Sequence, residues 1–158
     1  MTSVVEPTTL SSSDWYEPVG AQASQVSPAY LSKRVVGSGQ STAPWLPAAI
    51  ERLATLLTLG DGWDGYGSRS VDLLLAKAVA RFLASQVWVC TPRPRIVATA
   101  DGGLAVEWRD DGVTLELEFE RSGAIDAYVS DAGENTEWEG PVESIPGGML
   151  GWIRRLAQ

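Results

Sequence analysis

The sequence predicts, over residues 45–158, an α+β domain: a helical hairpin and a C-terminal helix pack on one face of a four- to five-stranded antiparallel meander sheet. Three observations lead to this prediction. Apolar residues recur at helical spacing on both sides of a glycine-rich loop. After Pro94, alternating apolar and polar runs are separated by Asp-Gly and Ser-Gly pairs, which are typical of hairpin turns. A last apolar cluster near the C-terminus has helical spacing.

Residues 1–44 are expected to form a flexible arm. They are rich in Ser, Thr, Pro, Gly and Gln, a composition that buries too little apolar area to offset chain entropy. Two clusters interrupt the arm, Trp15-Tyr16 and Tyr30-Leu31. Two interpretations stay open: these side chains fold back onto the domain, or they form a recognition segment that becomes ordered on a partner.

The two predicted helices have recognisable ends. Pro44 and Pro47 bracket the start of the first helix, where proline is tolerated in the first turn. Gly60 is its predicted C-terminal stop. Ser70 is the predicted N-cap of the second helix, and Asp72 would interact favourably with the positive N-terminal end of that helix.

The loop between the helices, Gly60–Gly67, combines glycines, two carboxylates and two aromatic side chains. We expect Trp63 and Tyr66 to turn inward and pin the loop to the domain, while Asp61 and Asp64 accept hydrogen bonds from nearby backbone N–H groups. The alternative is a surface loop that presents its aromatic and acidic side chains to a small ligand or carbohydrate, with hydrolysis by Asp64 and a nearby Glu as a further form of that site. The spacing lacks the acidic ladder of an EF-hand, so no metal is predicted.

The strands follow a Thr-Pro-Arg-Pro segment that breaks the helix and favours extended backbone. The third strand is the clearest, because apolar and polar residues alternate along its whole length. One face of the sheet is therefore apolar and must be covered by the helices, and the other is open. The strands are predicted at residues 95–99, 104–109, 113–120, 124–130 and 136–139.

The open face is predicted to be acidic. Residues 96–145 contain 13 acidic and 2 basic residues, a balance of −11, whereas the whole chain has a net charge of −8. This face is either a solvated surface that prevents edge strands from aggregating or a docking surface for a basic protein. Rows of carboxylates would also fit a DNA mimic that occupies a nucleic-acid groove. The side chains expected on this face are Glu107, Glu116, Glu118, Glu120, Asp126 and Tyr128.

Composition excludes several classes of function. The chain has no histidine and a single cysteine, Cys90, which removes the commonest general base and most zinc sites. Catalysis by Asp, Glu, Lys or Tyr stays open, but because histidine is missing and cysteine occurs only once, we expect a protein that is not an enzyme and uses no cofactor. The negative charge argues against direct binding of nucleic acid. No apolar run reaches membrane-spanning length, and no signal peptide is visible, so a cytoplasmic location away from membranes is expected.

Three segments together resemble a group of bacterial and phage-borne small proteins for which no activity is established: Leu59–Gly67, Pro94–Ile96 and Thr99–Trp108. The pattern of that group is a Trp-Asp-x-Tyr-Gly loop, a helix, a Pro-x-Ile strand and an Asp-Gly-Gly…Leu-Glu-Trp hairpin. The resemblance covers Ile50–Tyr128. It implies a shared fold and favours an accessory role on mobile elements, such as an inhibitor, an antitoxin-like protein or an assembly protein.

The sequence therefore favours a non-catalytic protein-binding module. It would engage a partner with a basic surface through the arm and the acidic sheet face. The identity of the partner and the oligomeric state stay open.

Overall fold

The computed structural model describes residues 42–85 and 88–157, and over these residues the protein has an α+β fold, which confirms the predicted class. The described helices are α1 (Leu46–Leu56), α2 (Leu73–Leu83) and α3 (Gly148–Leu156). A short 3-10 helix, Val142–Ser144, precedes α3. The strands are β1 (Arg95–Ala98), β2 (Leu104–Asp110), β3 (Val113–Phe119), β4 (Ile125–Asp131) and β5 (Thr136–Pro141).

The five strands form one antiparallel sheet in the order β1-β2-β3-β4-β5, so the predicted meander is confirmed. Its tightest turn lies between β2 and β3. Asp111 and Gly112 both have positive φ values there, 43° and 80°, as the turns that match the twist of hairpin strands require.

One face of the sheet forms the hydrophobic core with the three helices. Most strand residues on this face in β2 to β4 are apolar and buried, as in the pattern of β3, where Leu115 and Leu117 have no exposed surface. From α2, the Phe82 ring packs edge-on against Trp88 and Phe119, with centroid distances of 4.9 and 5.3 Å. Burial of this apolar surface is the main source of stability for the fold.

The beginning of α2 differs from the prediction. Asp72, rather than Ser70, is the N-cap, and its Oδ1 accepts hydrogen bonds from the N–H groups of Leu74 and Leu75 at 2.8 and 3.1 Å. Ser70 lies two residues earlier, where its own N–H donates to Asp61. The backbone of Ser70 is thus used to hold the preceding loop.

The first helix also ends earlier than predicted. Helix α1 stops at Leu56 with Leu57 as its C-cap, four residues before Gly60. The Thr58 N–H and hydroxyl both bond the carbonyl of Thr55, which closes the helix with a tighter turn. Gly60 does not adopt the left-handed conformation of a glycine that ends a helix.

The described chain includes residues that the sequence assigned to the arm. Ala43 is buried, and its carbonyl accepts a hydrogen bond from the Leu46 N–H at 2.9 Å. The aromatic clusters at residues 15–16 and 30–31 lie outside the described residues. Within residues 42–85 and 88–157, no helix is long and apolar enough to cross a membrane.

Candidate functional site

The strand register lines up polar side chains in rows across the face of the sheet that the helices leave open. One row crosses all five strands through Arg95, Glu107, Glu116, Tyr128 and Glu139. Since directly opposed residues on neighbouring strands have Cβ atoms about 5 Å apart, the side chains in a row are in reach of one another.

Two further rows flank this one. In the first, Glu118 lies opposite Asp126, and in the second, Ser130 lies opposite Glu137. We name this surface the acidic face and define it by these side chains: Glu107, Glu116, Glu118, Asp126, Tyr128, Glu137 and Glu139. All of the face residues predicted from the sequence except Glu120 belong to it.

Glu120 lies at the rim instead. It follows the last residue of β3, in the turn that leads to β4. The Ser122 hydroxyl donates to its Oε2 at 2.8 Å, so this carboxylate helps to order the turn.

Only one end of the acidic face is neutralised by arginines. Glu107 is paired with Arg109 at 2.5 Å and with Arg95 at 3.8 Å. Both arginine side chains are more than 70% exposed, so these pairs contribute little stability. In the described part of the chain, no ion pair is formed by Glu116, Glu118, Asp126, Glu137 or Glu139. The negative charge is therefore concentrated over β3 to β5.

The crowding of carboxylates affects Glu118 most. Partial desolvation raises the pKa of the Glu118 carboxyl above its ordinary value, and the negative charges of Glu116, Glu120 and Asp126 raise this pKa further. Like charges directly opposite on a sheet are destabilising, so the opposed pairs Glu107–Glu116 and Glu118–Asp126 lower the stability of the sheet.

Tyr128 lies in the centre of the acidic face, between Glu116 on β3 and Glu139 on β5. Its hydroxyl donates to Glu137 Oε1 at 3.0 Å. Neither Glu137 nor Glu139 was among the predicted site residues. The alternation in β5 could have revealed them, because half-buried Trp138 between them faces the core.

The glycine-rich loop is ordered by its two aspartates, as predicted. Asp64 Oδ1 accepts from the N–H groups of Tyr66 and Ser68 at 2.8 and 3.2 Å, and Asp61 Oδ1 accepts from the Ser70 N–H at 2.8 Å. These hydrogen bonds stabilise the ionised carboxylates: chiefly the Ser70 N–H lowers the pKa of Asp61, and chiefly the Tyr66 N–H lowers that of Asp64. Asp64 is therefore occupied with the loop's own backbone.

The expectation that the loop's aromatic rings turn inward is wrong. Tyr66 is 95% exposed and Trp63 is 39% exposed. The Trp63 indole N–H donates to the Arg69 carbonyl at 3.3 Å, which holds the ring along the loop rather than in the core. Because the loop satisfies its polar groups internally and docks through its backbone, it needs no aromatic anchor.

The two residues Arg69 and Ser70, just after the glycine-rich loop, contact the sheet at the Asp101-Gly102-Gly103 turn. The Arg69 N–H donates to the Ala100 carbonyl at 2.8 Å. A Cβ atom on Gly102 would lie 2.6 Å from the Ser70 carbonyl oxygen, and Gly102 has a φ of 81°. Only glycine fits this contact without a shift of the backbone. The loop and the hairpin turn, which are two separate motifs in the sequence, thus form one junction.

Comparison of the chain with models of protein families, with curated proteins and with solved structures found no match. The resemblance of the loop and hairpin motifs to the group of bacterial and phage-borne small proteins thus remains a prediction from those motifs. No group of three or more potential metal ligands occurs among residues 42–85 and 88–157.

Proposed function

We propose that this domain is a non-catalytic protein-binding module whose acidic face docks on a basic surface of a partner protein. One observation carries the proposal: the strand register gathers carboxylates in rows on the one sheet face that no described helix covers. Five of these carboxylates have no basic partner within the described chain. Their charge is available to steer and orient a cationic surface.

The composition of the acidic face also supports a protein partner. Tyr128 supplies an aromatic side chain at its centre, and tyrosine is enriched among residues that dominate binding energy. Partial desolvation is the main reason that the pKa of Glu118 is raised, and repulsion by neighbouring carboxylates, which a cationic partner would relieve, raises this pKa further. In the setting that the motif resemblance implies, the partner would belong to a bacterial or phage system, with the N-terminal arm as a second contact.

A pair of charge-reversal variants tests this proposal. E116K/D126K changes two residues of the acidic face, and D110K/E143K makes the same change of net charge at exposed positions outside it. The wild-type full chain is used to isolate a partner from the native host, and both variants are then titrated against the purified partner at two salt concentrations.

We expect E116K/D126K to weaken binding at least tenfold, and D110K/E143K to change it less than threefold. Binding of the wild type should weaken as salt is raised, since salt screens exposed charges. If both variants bind like the wild type, or if both lose affinity equally, the acidic face is not the interface.

The exposed rings of the loop favour a second candidate function, a small-ligand or carbohydrate site at Trp63 and Tyr66. A tyrosine that is 95% exposed on an ordered loop is an unusual use of apolar area. Titration of the full chain with a panel of glycans, monitored by tryptophan fluorescence, tests this second candidate function. Y66A should abolish any saturable change, whereas Y128A should retain it. A change that survives in Y66A places the ligand elsewhere.

A further inference from the structure

A groove lies between α1 and the outer edge of β1, at the side of the sheet opposite β5. Its volume is about 350 Å³, and its walls are formed by Ala49 and Arg52 of α1 and by residues 93–97. This volume falls at the lower end of the range of small-ligand pockets.

The lining of the groove is cationic although the chain as a whole is acidic. Arg52, Arg93 and Arg95 line it, and no acidic side chain does. Arg93 forms no hydrogen bond or ion pair with any described residue, and the one ion pair of Arg95, to Glu107, is long at 3.8 Å. In a chain with 20 acidic and 12 basic residues, Arg52 and Arg93 concentrate positive potential in one concave place, and Arg95 adds its charge from the end of the acidic face, where it also pairs with Glu107.

Arg52 is held in position by the strand that it faces. Its Nε–H donates to the Ile96 carbonyl at 3.0 Å, and this bond is partly buried. A guanidinium group has four further N–H donors on its two Nη atoms, and none of them has an acceptor among the residues that the structure describes. A fixed guanidinium with unused donors is suited to bidentate binding of an oxyanion.

The same hydrogen bond argues against addition of a peptide strand to this edge of the sheet. A strand that paired with β1 would need the outward-facing backbone groups, and the Ile96 carbonyl is already bonded to Arg52. Pro94, just before β1, has no N–H to donate. The geometry therefore favours a compact anion over an extended acidic segment.

We propose that the groove is a binding site for a small phosphorylated ligand. Arg52 would bind the phosphate oxygens from the helix side and Arg93 from the strand side, while Arg95, whose guanidinium also pairs with Glu107 at 3.8 Å, adds a third positive charge. Three positive charges match a phosphate or diphosphate group better than a single carboxylate. Of the apolar residues around the groove, partly exposed Val97 would contact the organic part of the ligand, whereas Ala49 and Ile96 are buried in the core. The groove adjoins the end of the acidic face at Arg95, but Arg52 and Arg93 lie outside that face, so the proposal does not rest on the function proposed for it.

The test is an NMR titration of the ¹⁵N-labelled full chain with inorganic phosphate and with pyrophosphate, at constant ionic strength. We expect saturable shifts of the Arg52 Nε–H signal and of the Ala49 and Ile96 amide signals. R93Q should weaken pyrophosphate binding at least tenfold, because a charge-assisted hydrogen bond is lost. The matched control is R154Q, which removes an exposed arginine of α3 and should change the affinity less than twofold.

Several outcomes would overturn the proposal. They are the absence of saturable shifts, shifts spread over the whole chain, and equal weakening by R93Q and R154Q. Binding of citrate as tight as that of pyrophosphate would assign the groove to polycarboxylates instead. Binding of a hexaglutamate peptide without binding of pyrophosphate would assign it to an acidic protein segment. An unchanged amide spectrum of R93Q away from the groove verifies that the variant is folded.

Discussion

Two aromatic pairs in this molecule are stabilised by opposite means. Trp88 and Trp108 are fully buried and stacked, with ring centroids 4.2 Å apart and planes 7° from parallel, yet neither indole N–H has an acceptor among the described residues. Trp63 and Tyr66 are exposed, in a loop whose backbone is held by hydrogen bonds. In the core, close packing of the two indole rings compensates for their unpaired N–H groups. In the loop, hydrogen bonds of the backbone compensate for the small buried area of the two rings.

This difference separates stability from recognition. A buried, stacked ring contributes to the free energy of folding and is out of reach of any partner. An exposed ring on an ordered loop contributes little to folding but is presented in a fixed place, so a partner loses little entropy in binding it. Four predictions test this separation, and they are ordered by the size of the expected effect.

The largest effect is expected from removal of a stacked ring. W108A should lower the free energy of unfolding by about 3–5 kcal/mol, because it removes a large side chain and leaves a cavity. Urea unfolding, monitored by circular dichroism, measures this loss of free energy. W108F is the matched control: it keeps a ring and removes an unpartnered donor, so it should cost less than half as much. Equal losses would mean that the ring stack is not the stabilising element.

The second effect concerns the junction of the loop with the sheet. G102A should cost about 1–3 kcal/mol, since it combines a positive φ with a 2.6 Å approach to the Ser70 carbonyl oxygen. Gly123 has a φ of 90° but nothing within 4 Å of its Cβ position, so G123A carries the backbone strain alone. We expect G102A to cost more than G123A and to speed amide exchange at Ser70. If G102A and G123A lower the free energy of unfolding equally, small movements of the backbone relieve the contact with the Ser70 carbonyl oxygen.

The third prediction concerns pH. Hydrogen bonds from the loop backbone, first among them the Tyr66 N–H, lower the pKa of Asp64 in the folded state. Its contribution to loop order is thus present at neutral pH and is lost as the pH falls through this lowered pKa. Amide exchange at Tyr66 and Ser68, corrected for its intrinsic pH dependence, should speed up at low pH.

D64N should show fast exchange at these two amides at every pH, because its side chain binds the N–H groups less strongly. D110N, at an exposed position that accepts no hydrogen bond from the loop, should leave the profile unchanged. A D64N variant with wild-type protection would show that the carboxylate does not order the loop.

The smallest effect is expected from the most exposed ring. Y66A should change the free energy of unfolding by no more than about 0.5 kcal/mol, as is usual for surface substitutions. Urea unfolding again provides the measurement. A loss above 1 kcal/mol would mean that Tyr66 packs on the domain in solution, which would remove the distinction between the two aromatic pairs.

Most of the fold could be predicted because its signals are local. Alternation within each strand, helical spacing and Asp-Gly turns each depend on a few neighbouring residues. The N-cap of α2 was assigned two residues too early, because Ser70 and Asp72 are both good capping residues and only the loop contact decides between them. The orientation of Tyr66 also depends on tertiary contacts, so the general tendency of aromatic rings to be buried gave the wrong answer there.

The candidate sites were less predictable for the same reason. The acidic face could be foreseen in β2 to β4, where alternation is regular, but its extension to β5 rests on a short and irregular strand. The arginine groove had no sequence signal. Arg52 and Arg93 are far apart in the chain, and they meet only because α1 packs beside β1.

The strand order has a consequence for how the chain folds. Each strand pairs only with its neighbours in sequence, so every pairing in the sheet requires closure of no more than a short turn. Closure of short loops has a small entropic cost and is fast. The sheet can therefore assemble one hairpin at a time, and the slow step of refolding should be the docking of α1 and α2, which come from the other end of the described chain.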